Sequence, residues 1–179
     1  SATKCQSCSF GRSSKKGSVT CSQCGNGQFK VQLFYGQHRC DSCLAGTKSQ
    51  AGDLECSSCS RGKYQDQESQ SSCKSCGAGK WSSNISATTS STCQKCGVGY
   101  YSNARGVTAE ENCNSCPPGT ASSTLGADKY SFCVACGVGT FSQSASVNCQ
   151  NCSSGKFQDE YGQALCVRYL KSAIISNGI

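Results

Sequence analysis

The chain is poor in everything from which an ordinary protein core is built. Leu, Ile, Val and Phe together make up 24 of its 179 residues, about 13%. A chain with so little apolar surface to bury does not offset the entropy lost on ordering it. There is no Met, one Trp and one His, His38. No run approaches the ~20 apolar residues that a membrane-spanning helix needs, and no stretch keeps a helical period. The ten carboxylates are scattered, without calcium-loop spacing or a convergent acid–base pair. No nucleophile motif is present either, so no catalytic residue, metal site or cofactor is expected.

Cationic charge is modest and uneven. Residues 1–80 hold 11 Lys or Arg against 5 acids, and residues 81–179 hold 6 against 5. Arg12, Lys15 and Lys16 form the one local basic cluster. No aromatics interleave with it as a nucleic-acid platform requires, so nucleic acid is not an expected partner. A solvated loop or an acidic-glycan contact remain.

What the chain has is cysteine: 19 residues, almost 11%. That places it among scaffolds held by covalent cross-links in an oxidising, extracellular or cell-surface compartment. It begins at Ser1 without a leader-type segment and is expected to be a mature fragment. Eighteen cysteines form nine Cys-x-x-Cys pairs: Cys5/Cys8, Cys21/Cys24, Cys40/Cys43, Cys56/Cys59, Cys73/Cys76, Cys93/Cys96, Cys113/Cys116, Cys133/Cys136 and Cys149/Cys152. A single Cys166 follows. Between one pair and the next cysteine lie 12, 15, 12, 13, 16, 16, 16, 12 and 13 residues.

A glycine stands three residues after the second cysteine of every pair, from Gly11 to Gly155. A residue without a side chain at one fixed place marks a positive φ or a close backbone approach. Two residues further on comes Phe29, Tyr64, Trp81, Tyr101, Phe141 or Phe157, often followed by Ser. The ring is absent where Ser13, Lys48 and Ala121 stand. Each unit therefore reads as one loop: the glycine turns the chain, a short strand begins at the ring, and a polar bend of variable length returns to the next cysteine. The ring is expected to cover the nearby disulfide and to supply most of the unit's apolar burial.

Paired Cys-x-x-Cys motifs also occur in zinc ribbons. Four thiolates per ion would orphan one pair plus Cys166, and the unbroken spacing gives no grouping into fours. Disulfides fit better. Joining the second cysteine of each pair to the first of the next gives Cys8–Cys21, Cys24–Cys40, Cys43–Cys56, Cys59–Cys73, Cys76–Cys93, Cys96–Cys113, Cys116–Cys133, Cys136–Cys149 and Cys152–Cys166. This register explains why Cys166 stands alone, whereas an interleaved pattern strands an interior cysteine. Spacing does not by itself exclude other connectivities. Cys5 is left unpaired within the chain, so its partner is expected upstream of Ser1 or on a neighbouring subunit. With every bridge local, no contact is expected to tie distant repeats together, and stability should be nearest-neighbour in kind.

The pattern Cys-x-x-Cys-x-x-Gly-x-aromatic-Ser, clearest in CGVGYYS at 96–102, CPPGTAS at 116–122 and CGVGTFS at 136–142, resembles the ephrin-receptor-like cysteine-rich repeat. That repeat is related to the single-disulfide modules of tumour-necrosis-factor receptors. The resemblance spans residues 5–166 and implies an extracellular location and the same disulfide ladder. Two departures stand out: only Cys116 is followed by Pro, and the copies at Ser13, Lys48 and Ala121 lack the ring and are expected to pack more loosely.

The expected class is thus a small disulfide-rich repeat protein. It would be an elongated linear array of nine single-disulfide loops over 1–166, with short β segments and little helix. Residues 167–179 would form a linker or strand leading to a following segment. Two roles compete. One is a non-enzymatic structural rod, glycosylated at Asn84 and, less accessibly, at Asn151, that self-associates in a surface coat or fibre. The other is a receptor or adhesion ectodomain for an extracellular protein or acidic glycan. Leu33, Phe34 and Tyr35 in the 31–39 insert would then form an exposed apolar patch.

Overall fold

The computed structural model describes residues 12–13, 22–33 and 38–169. Cys5, Cys8, Cys21, Gly11, Lys15, Lys16, Phe34, Tyr35 and everything beyond Tyr169 lie outside them.

Eight consecutive disulfides run from Cys24–Cys40 to Cys152–Cys166, each joining the second cysteine of one pair to the first of the next. Their Cα–Cα distances are 5.5–6.0 Å, and they close loops of 13 to 17 residues' separation. On loop-closure entropy each contributes about 3 kcal/mol. Sixteen cysteines are thereby removed from any thiolate role.

Between the bridges the chain makes strands too short to stand alone. They are β1 (Arg12–Ser13), β2 (Ser22–Gln23), β3 (Gln28–Gln32), β4 (His38–Ser42), β5 (Thr47–Lys48), β6 (Ser57–Ser58), β7 (Lys63–Tyr64), β8 (Lys74–Ser75) and β9 (Lys80–Trp81). Then follow β10 (Gln94–Lys95), β11 (Tyr100–Tyr101), β12 (Asn114–Ser115), β13 (Thr120–Ala121), β14 (Val134–Ala135), β15 (Thr140–Phe141), β16 (Gln150–Asn151), β17 (Lys156–Phe157) and β18 (Val167–Arg168). The helical segments among the described residues are single 3-10 turns at Ser90–Thr92, Glu110–Asn112 and Tyr130–Phe132. All three fall in the loops of longest separation, 17. Extra residues are wound up just before the closing cysteine, where insertion disturbs nothing else.

The chain divides into two compact units, residues 1–94 with 104–112, and residues 95–103 with 113–179. In the first, antiparallel pairs β1–β2, β3–β4, β5–β6 and β7–β8 follow one another. The 31–39 insert lengthens β3 and β4 to five residues each, in register from Gln28↔Ser42 to Gln32↔His38. In the second unit the pairs are β11–β12, β13–β14, β15–β16 and β17–β18. The last of these places Val167 and Arg168 in a strand closing on Lys156 and Phe157.

The core corrects the expectation for the aromatic rings. Phe29, Tyr64, Trp81, Tyr101, Phe141 and Phe157 are only half-buried. The buried groups are the second cysteines from Cys24 to Cys136, none more than 1% exposed, together with Ala87, Val107, Ala127 and a line of serines. Two-stranded hairpins present no second layer to cover a ring. The space between repeats is filled by sulfur, hydroxyl, methyl and bare backbone, and by the buried side chains of Gln65 and Gln158.

Candidate functional site: the repeat junctions and two ring-less clefts

Each junction is built from the turn glycine upward. In the first unit the Gly46 N–H donates to Gln65 O (2.8 Å), while Gly46 O accepts from the Cys59 N–H (2.9 Å). The Gln65 N–H then donates to Ala87 O (2.9 Å), and the Ser86 N–H to Cys59 O (2.8 Å). The second unit repeats the set: Gly99 N–H to Ser122 O (2.7 Å), Cys116 N–H to Gly99 O (2.8 Å), Ser122 N–H to Ser146 O (3.0 Å) and Ala145 N–H to Cys116 O (2.9 Å). Every partner is backbone, so the docking tolerates wide sequence variation.

Five of the turn glycines, Gly27, Gly46, Gly62, Gly99 and Gly119, satisfy both expectations, a positive φ and a close backbone approach. Gly46 and Gly99 have φ of +84° and +81°. A Cβ on Gly46 would overlap Ser86 O, and one on Gly99 would overlap Ala145 O. Those oxygens belong to the loop two further along. This departs from nearest-neighbour stability: the turns at Gly27, Gly46, Gly62, Gly99 and Gly119 pack on the next-but-one repeat. The cause is that a one-residue-wide hairpin leaves the backbone of the following loop within reach.

A second turn in each loop was not foreseen. Gly52, Ser69, Ser86, Gly106, Gly126, Ala145 and Gly162 all have positive φ, from 54° to 91°. The glycines at four of the seven were the available signal. The serine after the ring also gains a role. Ser49 is fully buried; its Oγ donates to Gln28 O (3.0 Å) and lies 3.2 Å from Cys43 Sγ. Ser142 Oγ donates likewise to Thr120 O (2.8 Å). Gln65 and Gln158 take the same position and bind their own loops, Nε2 donating to Ser72 O (2.7 Å) and Leu165 O (2.8 Å).

Two clefts open at the same place in their repeats, and both are copies without a ring. One, of about 370 Å³, lies over Lys48 and Lys63, with Gln50, Ser58 and Ser71 in its walls. The other, of about 290 Å³, lies over Ala121 and is lined by Phe132, Val134 and Val147. In a copy with a ring, Tyr101 packs edge-on against Tyr130 of the following loop, centroids 5.6 Å apart. Both clefts thus coincide with a missing ring.

Of the other residues singled out, Asn84 and Asn151 are both exposed, Asn151 on the outer edge of β16. Leu33 is exposed beside the end of β3. Lys74 Nζ pairs with Asp66 Oδ1 at 2.5 Å; this contact holds the Asp66 carboxyl below its ordinary pKa and the Lys74 ammonium above its own. Among the described residues no helix is long and apolar enough to cross a membrane, and no three metal-ligating side chains gather.

No curated protein matches the chain. A family does: residues 46–93, from the turn glycine of one loop through the two disulfides that follow, match the family described as tyrosine-protein kinase ephrin type A/B receptor-like. The resemblance carried by cysteine and glycine spacing is thus met in this segment.

Proposed function

We propose that the protein is a non-enzymatic extracellular scaffold, a disulfide-stapled, glycosylated spacer that forms part of a surface coat or fibre. The observation carrying this reading is the identity of the junctions: the same four backbone bonds recur in both units with different side chains around them. A surface that repeats itself so closely suits spacing and assembly better than recognition at one point. The eight disulfides and the family of the matched segment agree with an extracellular, non-catalytic protein. The exposed side chain of Asn84 suits N-glycosylation.

Small-angle scattering of the fragment, with electron microscopy of native material, tests the reading. An extended particle and a filament are expected. A radius of gyration near the compact-globule value of about 16 Å, or dispersed single molecules, would overturn it. The rival reading, an ectodomain with a ligand, is favoured by the cleft over Lys48.

A further inference from the structure

We propose that the cleft over Lys48 and Lys63 is a binding site for the sulfate or carboxylate groups of an acidic polysaccharide. The inference stands apart from the scaffold reading, because a spacer and an ectodomain could each carry such a site.

The argument starts from the repeat. At the position where six other copies hold a ring, this copy holds an ammonium group, and about 370 Å³ of space remains where a ring would lie. The next repeat contributes Lys63 from β7, one residue after its turn glycine. Two cations thus share one concavity, and neither has an ion-pair partner among the described residues. Neither carboxylate of the same loop, Asp53 or Glu55, lines the cleft, and Asp53 Oδ2 accepts from the Gln50 N–H at 2.7 Å. The charged residues that line the cleft are thus both cationic.

The walls narrow the ligand further. Hydroxyls of Ser58, Ser60, Ser71 and Ser72 line the cleft beside the Gln50 side chain, whose Nε2 donates to Ser71 O at 2.9 Å. A free phosphate would need the cations alone. A peptide would need apolar pockets for its side chains, and no large apolar residue lines this cleft. A sugar ring bearing an acid group matches both the cations and the ring of hydroxyls. The corresponding cleft over Ala121 is lined by Phe132, Val134 and Val147 among serines and a threonine and by no charged residue, so the charge belongs to this copy and not to the fold.

Titration calorimetry of the whole chain with a size-defined heparin oligosaccharide tests the proposal. Inorganic sulfate and a polyglutamate peptide serve as separate arms. The variant Lys48→Tyr restores the ring found elsewhere, so it should fold; disulfide mapping and hydrogen exchange check this. Lys48→Tyr with Lys63→Ala should weaken heparin binding about tenfold. Lys156→Ala with Arg168→Ala, exposed on β17 and β18, removes equal charge and should change it less than about twofold. Equal losses in both double variants would mean diffuse attraction and overturn the site. Sulfate competing mole for mole with the oligosaccharide would overturn the polysaccharide assignment, as would tighter binding of polyglutamate.

Discussion

The next-but-one packing can be isolated by comparing two glycines of the same conformation. Gly119 and Gly155 occupy the same place in their repeats, with φ of +83° and +80°. Alanine at either position meets the left-handed backbone penalty of about 1–2 kcal/mol. At Gly155 nothing else lies within 4 Å of the added Cβ. At Gly119 the methyl would overlap the Gly162 carbonyl and lie 3.0 Å from Gln163 N. These are backbone atoms, which have no rotamer with which to escape.

Gly119 is also gripped on both sides. Its N–H donates to Ser142 O and its C=O accepts from the Cys136 N–H, both at 2.8 Å. Relieving the overlap costs about 1–3 kcal/mol in displaced packing, and loosening the two bonds adds about 1 kcal/mol. Gly119→Ala should therefore cost about 2–4 kcal/mol more than Gly155→Ala. Repeat arrays open locally, so the assay is hydrogen exchange followed by mass spectrometry. The Cys136, Ser142 and Gly162 amides should exchange roughly 30- to 700-fold faster in Gly119→Ala than in Gly155→Ala. Equal acceleration in the two variants would show that the next-but-one contact contributes nothing, and would refute the reasoning.

Ala145 holds a left-handed φ of 59° where four sister loops have glycine. Ala145→Gly should stabilise its junction by about 0.5–1 kcal/mol after the unfolded-state entropy is subtracted, read as slower exchange of the Ala145 amide. Ser49→Ala removes the donor to Gln28 O inside a fully buried contact and should cost about 1–2 kcal/mol by denaturant titration. His38 has a buried, unpartnered Nδ1; desolvation, then the Lys30 ammonium, hold its pKa below 6.5. The folded state thus takes up the proton less readily than the unfolded one, so stability is full above about pH 6.5 and falls as pH drops towards the folded pKa. An imidazole NMR titration with its midpoint above 6.5 would contradict this. A reductant should abolish the circular-dichroism signature of the array, and a strong chelator should leave it unchanged.

The disulfide register and the turn glycines were legible because each has a residue signature. Only cysteine makes the bridge, and at Gly46 or Gly119 no other residue fits the backbone approach. The second turn was only half legible, since Ser69, Ser86 and Ala145 adopt the conformation that Gly106 and Gly126 adopt without strain. Nothing but a backbone N–H and C=O is used there, so side-chain identity is weakly constrained. The rings misled for the opposite reason. Phe29 and Tyr101 are large rings, but a narrow hairpin has no depth in which to bury them. Lys48 was visible only as a missing ring; that the gap becomes a cleft shared with Lys63 depends on how the next repeat docks.

Cross-links and hydrogen bonds do separate work in this fold. A disulfide such as Cys96–Cys113 joins residues close in sequence and chiefly restricts the unfolded chain. It does not fix how one loop meets the next. That is set by the glycine turn, whose N–H and C=O are both spent on the following loop and whose bare Cα lies under the loop after it. Gly99 thus needs Ser122 and Cys116 for its hydrogen bonds and Ala145 for its packing, so its site is complete only when two further loops are in place. Reach of that kind gives a chain without a core some cooperativity beyond its covalent neighbours. It also explains why loop length can vary while the glycine does not: length is absorbed in 3-10 turns such as Tyr130–Phe132, outside the junction, whereas the glycine is the junction.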